Sequence, residues 1–211
     1  YFLRITEKIE ISLTKNIPSE AGLGGGSSDA GFFLKLLNEH YGNVYNEKEL
    51  EELAMKVGSD VPFFIKNKTA RVGGKGNKVE LVENNLKDSL ILVKPLGFGV
   101  STKDAYNSFD ELDEVRYANF EKIVECLRND NRKDLEKYIE NGLEQGISER
   151  NADIKMFKAI LNSVVPGKKF FMSGSGSTYY TFVTELEKSQ IETRLKTFVD
   201  NVKIIICKTI N

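Results

Sequence analysis

The first regular pattern along the chain runs from Lys8 to Lys15, where Ile9, Ile11 and Leu13 alternate with Lys8, Glu10, Ser12 and Thr14. A two-residue period predicts a strand with one buried face. The period stops after Lys15, and residues 17–28 read as a loop. Beyond it, Ala30, Phe33, Leu34, Leu37 and Tyr41 recur at helical spacing, with Ser27, Ser28 or Asp29 placed to cap the first turn. A second helix is expected at about 47–57, where Leu50, Leu53, Ala54 and Val57 share a face. Asn46 and Glu49 match a capping box there, and Gly58 suits the end.

Phe63–Ile65 reads as a strand, and a hairpin follows, with Ala70–Val72 and Lys78–Val82 turning through glycines at 73, 74 and 76. Leu90–Val93 is a short buried strand that Pro95 ends. A domain boundary is expected there, dividing the chain into residues 1–89 and 90–211. The second part is richer in helix. Ser101 and Asp104 mark one helix start, and Phe120, Ile123, Val124 and Leu127 mark another helix. Leu135, Tyr138 and Ile139 mark a third, and Ile154, Phe157, Leu161 and Val164 a fourth. Lys169–Met172 and Tyr179–Val183 are expected strands around a loop of small residues. A helix near 185–199 and a strand at Val202–Lys208 follow. Strands interrupted by runs of helix, with hairpin signals, predict an α+β fold.

Composition narrows the function. Lys plus Arg number 30 and Asp plus Glu 31, so the 211 residues carry a net charge of −1. A protein that binds nucleic acid by neutralising phosphates needs a basic excess, and there is none. With 40% hydrophobic residues the chain can bury a core, yet no apolar run approaches the roughly 18 residues of a membrane span. No leader pattern is visible, so a soluble, cytoplasmic protein is expected. Cys126 and Cys207 match no metal or redox spacing, and the single histidine, His40, cannot found a histidine-rich metal site. His40 and Tyr41 read as surface and core residues, Phe32 and Phe33 as packing, and the charges at 47–52 as a solvated helix face.

The glycines carry the chemistry. Gly22, Gly24, Gly25, Gly26 and Gly31 fall within ten residues, in the segment Pro18-Ser-Glu-Ala-Gly-Leu-Gly-Gly-Gly-Ser-Ser-Asp29. Glycines let backbone approach a ligand closely, and amides leading into a helix N-terminus form a concavity for anions. Serine hydroxyls can add hydrogen bonds to phosphate or help place a metal ion. The spacing is neither that of a Walker A loop nor that of a dinucleotide fingerprint. Phosphate binding is the expectation, against the alternative of a plain surface loop.

Lys15-Asn-Ile-Pro18 followed by Ala21-Gly-Leu-Gly-Gly-Gly-Ser-Ser-Asp-Ala30 resembles the central ATP-binding motif of the GHMP kinase superfamily. The longer form is similar to its branch acting on a diphosphocytidyl methylerythritol in non-mevalonate isoprenoid synthesis. Gly58-Ser-Asp-Val-Pro-Phe-Phe64, Val93-Lys-Pro95 with Gly99-Val-Ser-Thr-Lys103, and Met172-Ser-Gly-Ser-Gly-Ser-Thr178 agree with that branch, in order and over nearly the whole chain.

The resemblance implies the two-domain GHMP fold, with an incomplete domain like ribosomal protein S5 domain 2 over 1–89 and a ferredoxin-like domain over 90–211. It implies ATP and Mg2+ as cofactors, and transfer of a phosphoryl group to a hydroxyl of a small-molecule substrate. Asp60 would be the catalytic carboxylate. Lys15, Pro18, Ser19, Glu20, Ala21, Gly22, Leu23, Gly24, Gly25, Gly26, Ser27, Ser28 and Asp29 would hold the nucleotide. Gly174, Ser175, Gly176 and Ser177 would close over the site, unless they form only a hairpin turn. No protein-held metal site, nucleic-acid partner or membrane partner is implied.

Two departures bear on this reading. The branch opens with a Pro-Ala-Lys-Ile-Asn strand and an Asp-Gly-Tyr-His segment, and neither stands before Lys8. The sequence is therefore expected to lack about a first quarter, and these 211 residues alone to transfer phosphoryl groups poorly and to associate. Gly73-Gly-Lys-Gly-Asn77 also stands where the family usually shows Gly-x-Gly-Glu. The alternatives are another GHMP kinase, of mevalonate or homoserine type, or an inactive nucleotide-binding remnant.

Overall fold

The computed structural model describes residues 7–209. Its first part is helical: α1 (Gly25–His40), α2 (Glu47–Val57) and α3 (Val61–Lys66) meet around Leu50, Ala54, Val61 and Ile65, with Ala30, Leu34 and Tyr45 packed against them. The α2 start is as the sequence predicts. Asn46 Oδ1 accepts from the Glu49 amide and Glu49 returns the bond to the Asn46 amide. Strands β1 (Ala70–Gly73) and β2 (Lys78–Leu81) pair as an antiparallel hairpin beyond α3.

The larger core is built on a four-stranded antiparallel sheet. Its members are β3 (Ser89–Pro95), β4 (Phe171–Met172), β5 (Tyr179–Val183) and β6 (Val202–Lys208), in spatial order β4-β5-β3-β6. Val93 stands opposite Tyr179 on one side and Ile204 on the other. Successive side chains of a strand point to opposite faces, so both faces of this sheet can be covered. Ile91, Val93, Tyr179 and Val183 pack against α8 (Ala152–Val164) and α9 (Glu185–Phe198) through Ile154, Phe157, Leu161, Ile191 and Leu195. Leu90, Tyr180 and Phe182 lie with Phe171 and Leu86 against α5 (Phe120–Arg128) and α6 (Arg132–Tyr138), through Cys126 and Leu135.

Two further helices, α4 (Thr102–Asp110) and α7 (Gly142–Arg150), lie against each other. Side chains of Ser101, Asn119, Asn131, Asn141, Asn151 and Thr184 accept backbone amides at the starts of α4 to α9, satisfying donors the helices leave free. The class is α+β, as expected.

The structure corrects several expectations. Residues 8–15 alternate correctly but form no strand, and Ile11 and Leu13 are 62% and 59% exposed. A strand needs a ladder partner, and none pairs with this segment among the described residues. Phe63–Ile65 is helical within α3: Pro62 in the first turn favours a helix start, and the run is too short for periodicity to separate helix from strand. The strand expected over Lys169–Met172 is reduced to Phe171–Met172. Gly24, in a left-handed conformation, occupies the cap position of α1 in place of Ser27, Ser28 or Asp29. Phe32 is 43% exposed with the Lys35 ammonium over its ring, a surface pair instead of packing.

Candidate active site

The sequence between Lys15 and Ser28 folds as a curved loop running into α1. Glu20, Gly22 and Gly24 hold positive φ values of 50°, 66° and 64°. Two of these are glycine, which pays no steric penalty there, whereas Glu20 does. Gly22 also meets a second constraint. A Cβ on it would lie 1.9 Å from the Ser173 carbonyl oxygen. Helix α1 begins at Gly25, and the Ser28 amide bonds back to the Gly24 carbonyl at 2.8 Å. The amides of Gly25, Gly26 and Ser27 therefore precede the ladder, and no side chain caps them.

A cleft of about 500 Å3 opens at this helix start. It brings together Lys15, residues 18–26, Asp60, Gly174 and Ser175. It excludes Ser27, Ser28, Asp29, Gly176 and Ser177, and the reasons are visible. Ser28 is buried, with its hydroxyl donating to the Gly25 carbonyl at 2.8 Å. Asp29 pairs with the Lys15 ammonium instead of facing the cavity. Ser177 is fully buried behind the loop.

Asp60 reaches the cleft from the turn between α2 and α3. The Val61 amide bonds to the Gly58 carbonyl at 3.1 Å, and Val61 and Pro62 are buried just beyond. The Asp60 side chain caps no helix and stands exposed. The hairpin turn braces it. Gly76, at φ 93°, lies so near Ser59 that a Cβ would fall 1.9 Å from the Ser59 carbonyl oxygen. The Gly73–Asn77 turn, where the sequence departs from the family pattern, thus packs against the residue before Asp60.

The far wall is the 173–177 loop. Ser173 Oγ donates to the Gly22 carbonyl at 2.9 Å, and the Ser177 amide donates to the Glu20 carbonyl at 3.4 Å. Asn141, at the start of α7, donates to the Met172 and Gly174 carbonyls, both at 2.9 Å, while its Oδ1 accepts from the Leu143 and Glu144 amides. Thr102 Oγ1 and Ser175 Oγ lie 3.2 Å apart across the mouth.

Sequence reasoning assigned no role to Thr102, Tyr106, Leu143, Asn141 or Lys94. Thr102, Tyr106 and Leu143 line the cleft, and Tyr106 is a 54% exposed aromatic at its edge. Lys94 is buried, and burial pulls its ammonium below the usual lysine range, opposed by the nearby Glu20 charge. A larger hollow of about 610 Å3 lies over α6 to α8, with mixed charge and none of the expected site residues. Among the described residues no cluster of three or more His, Cys, Asp or Glu could hold a metal ion. No helix there is long and apolar enough to cross a membrane.

The family model "GHMP kinases N terminal domain" matches residues 1–68. The 4-diphosphocytidyl-2-C-methyl-D-erythritol kinase of Fusobacterium nucleatum is 81% identical over 205 residues, covering 97% of this chain and 70% of that protein. The enzyme of the same name from Clostridium botulinum strain Loch Maree is 35% identical, over 89% of this chain and 66% of its own length. The chain thus spans about two thirds of the length of the relatives it matches. Among solved structures, a 4-(cytidine 5'-diphospho)-2C-methyl-D-erythritol kinase superposes with a TM-score of 0.71 at 26% identity, covering 91% of this chain and 68% of that one. A homoserine kinase from Cytophaga hutchinsonii gives 0.70 at 16% identity, a likeness of fold alone. With the glycine-rich loop, Asp60 and the 173–177 loop converging on one cleft, the chain belongs to the 4-diphosphocytidyl-2-C-methyl-D-erythritol kinase family of GHMP small-molecule kinases.

Proposed function

We propose that the protein carrying this chain transfers the γ-phosphoryl group of ATP to a hydroxyl of 4-diphosphocytidyl-2-C-methyl-D-erythritol, in isoprenoid precursor synthesis. The observation that carries this is the convergence of the uncapped α1 start and Asp60 on one cleft. Phosphate oxygens would accept hydrogen bonds from the Gly25, Gly26 and Ser27 amides, where the helix dipole also favours negative charge. Residues 18–24 would wrap the nucleotide, with Lys15 alongside.

Asp60 is the acceptor for the substrate hydroxyl proton, a task that requires a carboxylate within hydrogen-bond reach. Phosphoryl transfer depends on positioning and on neutralising charge, not on covalent chemistry by the protein. Mg2+ binds oxygen donors and usually rides on nucleotide phosphates with one or two carboxylates, and Glu20 in the cleft fits that donor set. Bound there, it would offset the phosphate charge. The Gly174–Ser177 loop would cover the transferred group, and Tyr106 offers a face on which a base can stack.

Residues 1–89 form the remainder of the nucleotide-binding domain in this reading, and residues 90–211 the second domain. The two free thiols suit a reducing, cytoplasmic setting. The test is ATP-dependent turnover by the whole protein that carries this chain, with the diphosphocytidyl substrate, mevalonate and homoserine offered separately. Phosphorylation of the first alone is expected. Preference for either of the others would reassign the substrate, and no turnover of any would leave a nucleotide-binding protein.

A further inference from the structure

Lys94 lies at the end of β3, only 6% exposed and outside the cleft lining. Its ammonium donates to Ser177 Oγ at 2.6 Å and to the Phe98 carbonyl at 3.2 Å. Ser177 is itself fully buried, and its amide donates to the Glu20 carbonyl at 3.4 Å. A continuous path therefore runs from the β3 backbone, through one ammonium and one hydroxyl, to the glycine-rich loop. We propose that Lys94 is a positioning residue, whose ammonium fixes Ser177 and so holds the Gly174–Ser177 loop in register with Glu20 for phosphoryl transfer. The proposal rests on the kinase reading above.

The argument begins with the cost of the charge. An ammonium withdrawn from water loses hydration that two neutral acceptors only partly replace. Burial accordingly disfavours its charged form, and the Glu20 carboxylate, on the cleft-lining loop, opposes that effect. An apolar side chain of similar volume would fill the same space without that loss. Holding the fold together therefore does not explain a lysine here. What an apolar side chain could not supply is a donor to Ser177. Asn141 ties the same loop at Met172 and Gly174, so Lys94 fixes the end that Asn141 does not reach. The two anchors bracket the residues that face the cleft.

The experiment uses the whole protein that carries this chain, with Lys94→Met, Ser177→Ala and the double variant. Amide exchange across residues 174–177 is expected to quicken about tenfold or more in each single variant. The double variant should exchange no faster than the singles, because both break one link. Turnover should fall about tenfold or more while KM for ATP stays within about threefold, since remote misplacement acts on the reacting geometry. The thermal midpoint of Lys94→Met should be unchanged or higher.

Unchanged loop exchange would overturn the proposal. So would a lowered midpoint with faster exchange throughout β3 and β5, which would mark Lys94 as a support of the fold only. If Lys94→Met does not fold, the proposal fails at that point, because a fold-supporting role is then sufficient. Absence of wild-type turnover on every substrate would refute the kinase reading, and loop exchange would still decide the role of Lys94.

Discussion

The Ser173 hydroxyl donates to the Gly22 carbonyl at 2.9 Å, although 151 positions separate the two residues. Gly22 answers this closeness with a positive φ and no side chain, and the space a Cβ would need is already taken by the Ser173 carbonyl. Gly22→Ala should strain the backbone by about 1–2 kcal/mol and also force the two loops apart. We expect at least a tenfold loss of ADP affinity by calorimetry. Wild-type affinity in this variant would show that the loop contact is not needed to form the nucleotide site.

Gly26 offers the opposite case. Nothing lies within 4 Å of a Cβ built there, and the residue is in the first turn of α1. Gly26→Ala should therefore stabilise the fold by about 0.5–1 kcal/mol, because alanine loses less backbone freedom in a helix. The same methyl group would enter the cleft that Gly26 lines. A higher thermal midpoint together with weaker ADP binding is expected. A variant that binds ADP as well as the wild type would remove Gly26 from the phosphate site.

Asp60 can be tested without disturbing its surroundings, because its side chain caps no helix. Asp60→Asn should leave nucleotide affinity and the thermal midpoint unchanged while lowering turnover by roughly 10² or more, as for loss of an acid–base group. Turnover close to wild type would assign proton transfer elsewhere.

Glu187 links pH to stability. Burial pushes its carboxyl up, but hydrogen bonds from Lys168 and from Thr184 backbone and hydroxyl outweigh that and leave it at about 2, against an ordinary 4.5. Above pH 4.5 the group is ionised in both folded and unfolded chains, and its contribution is complete. As pH falls from 4.5 towards about 2, the unfolded chain takes up the proton first, and stability is lost. Glu187→Gln should therefore lower the urea midpoint at pH 6, with a deficit that shrinks between pH 4.5 and 2. A deficit independent of pH would mean that the carboxylate charge contributes nothing.

Much of the fold is legible in the sequence, for identifiable reasons. α2 announces itself through Asn46, Glu49 and Gly58, because caps are local chemistry. β3, β5 and β6 show as short runs of branched and aromatic residues. Helix α7 goes unseen because glycines stand where apolar residues would mark a face. Gly142 and Gly146 let α7 settle on α4, where a Cβ at 146 would come within 2.6 Å of the Ser108 backbone, a fit decided between elements. Residues 8–15 mislead for the opposite reason: their alternation is genuine, but a strand also needs a neighbour. In the site, the glycines and Asp60 stand out by residue type and spacing. Lys94 and Asn141 do not, since an internal lysine is unremarkable until its burial and partners are known.

The wall formed by Ser173 and Ser177 against Glu20 and Gly22 also bears on the order of assembly. During synthesis the glycine-rich loop leaves the ribosome long before its opposing wall exists. Closing so long a loop is entropically costly until β3 and β5 have paired and brought position 173 into place. The cleft is accordingly among the last features to mature. A nucleotide that binds only the completed cleft has nothing to grip in the folding transition state. Its stabilisation then appears as slower unfolding and leaves the folding rate unchanged. In that case the nascent chain reaches its fold unaided by the nucleotide proposed to bind it.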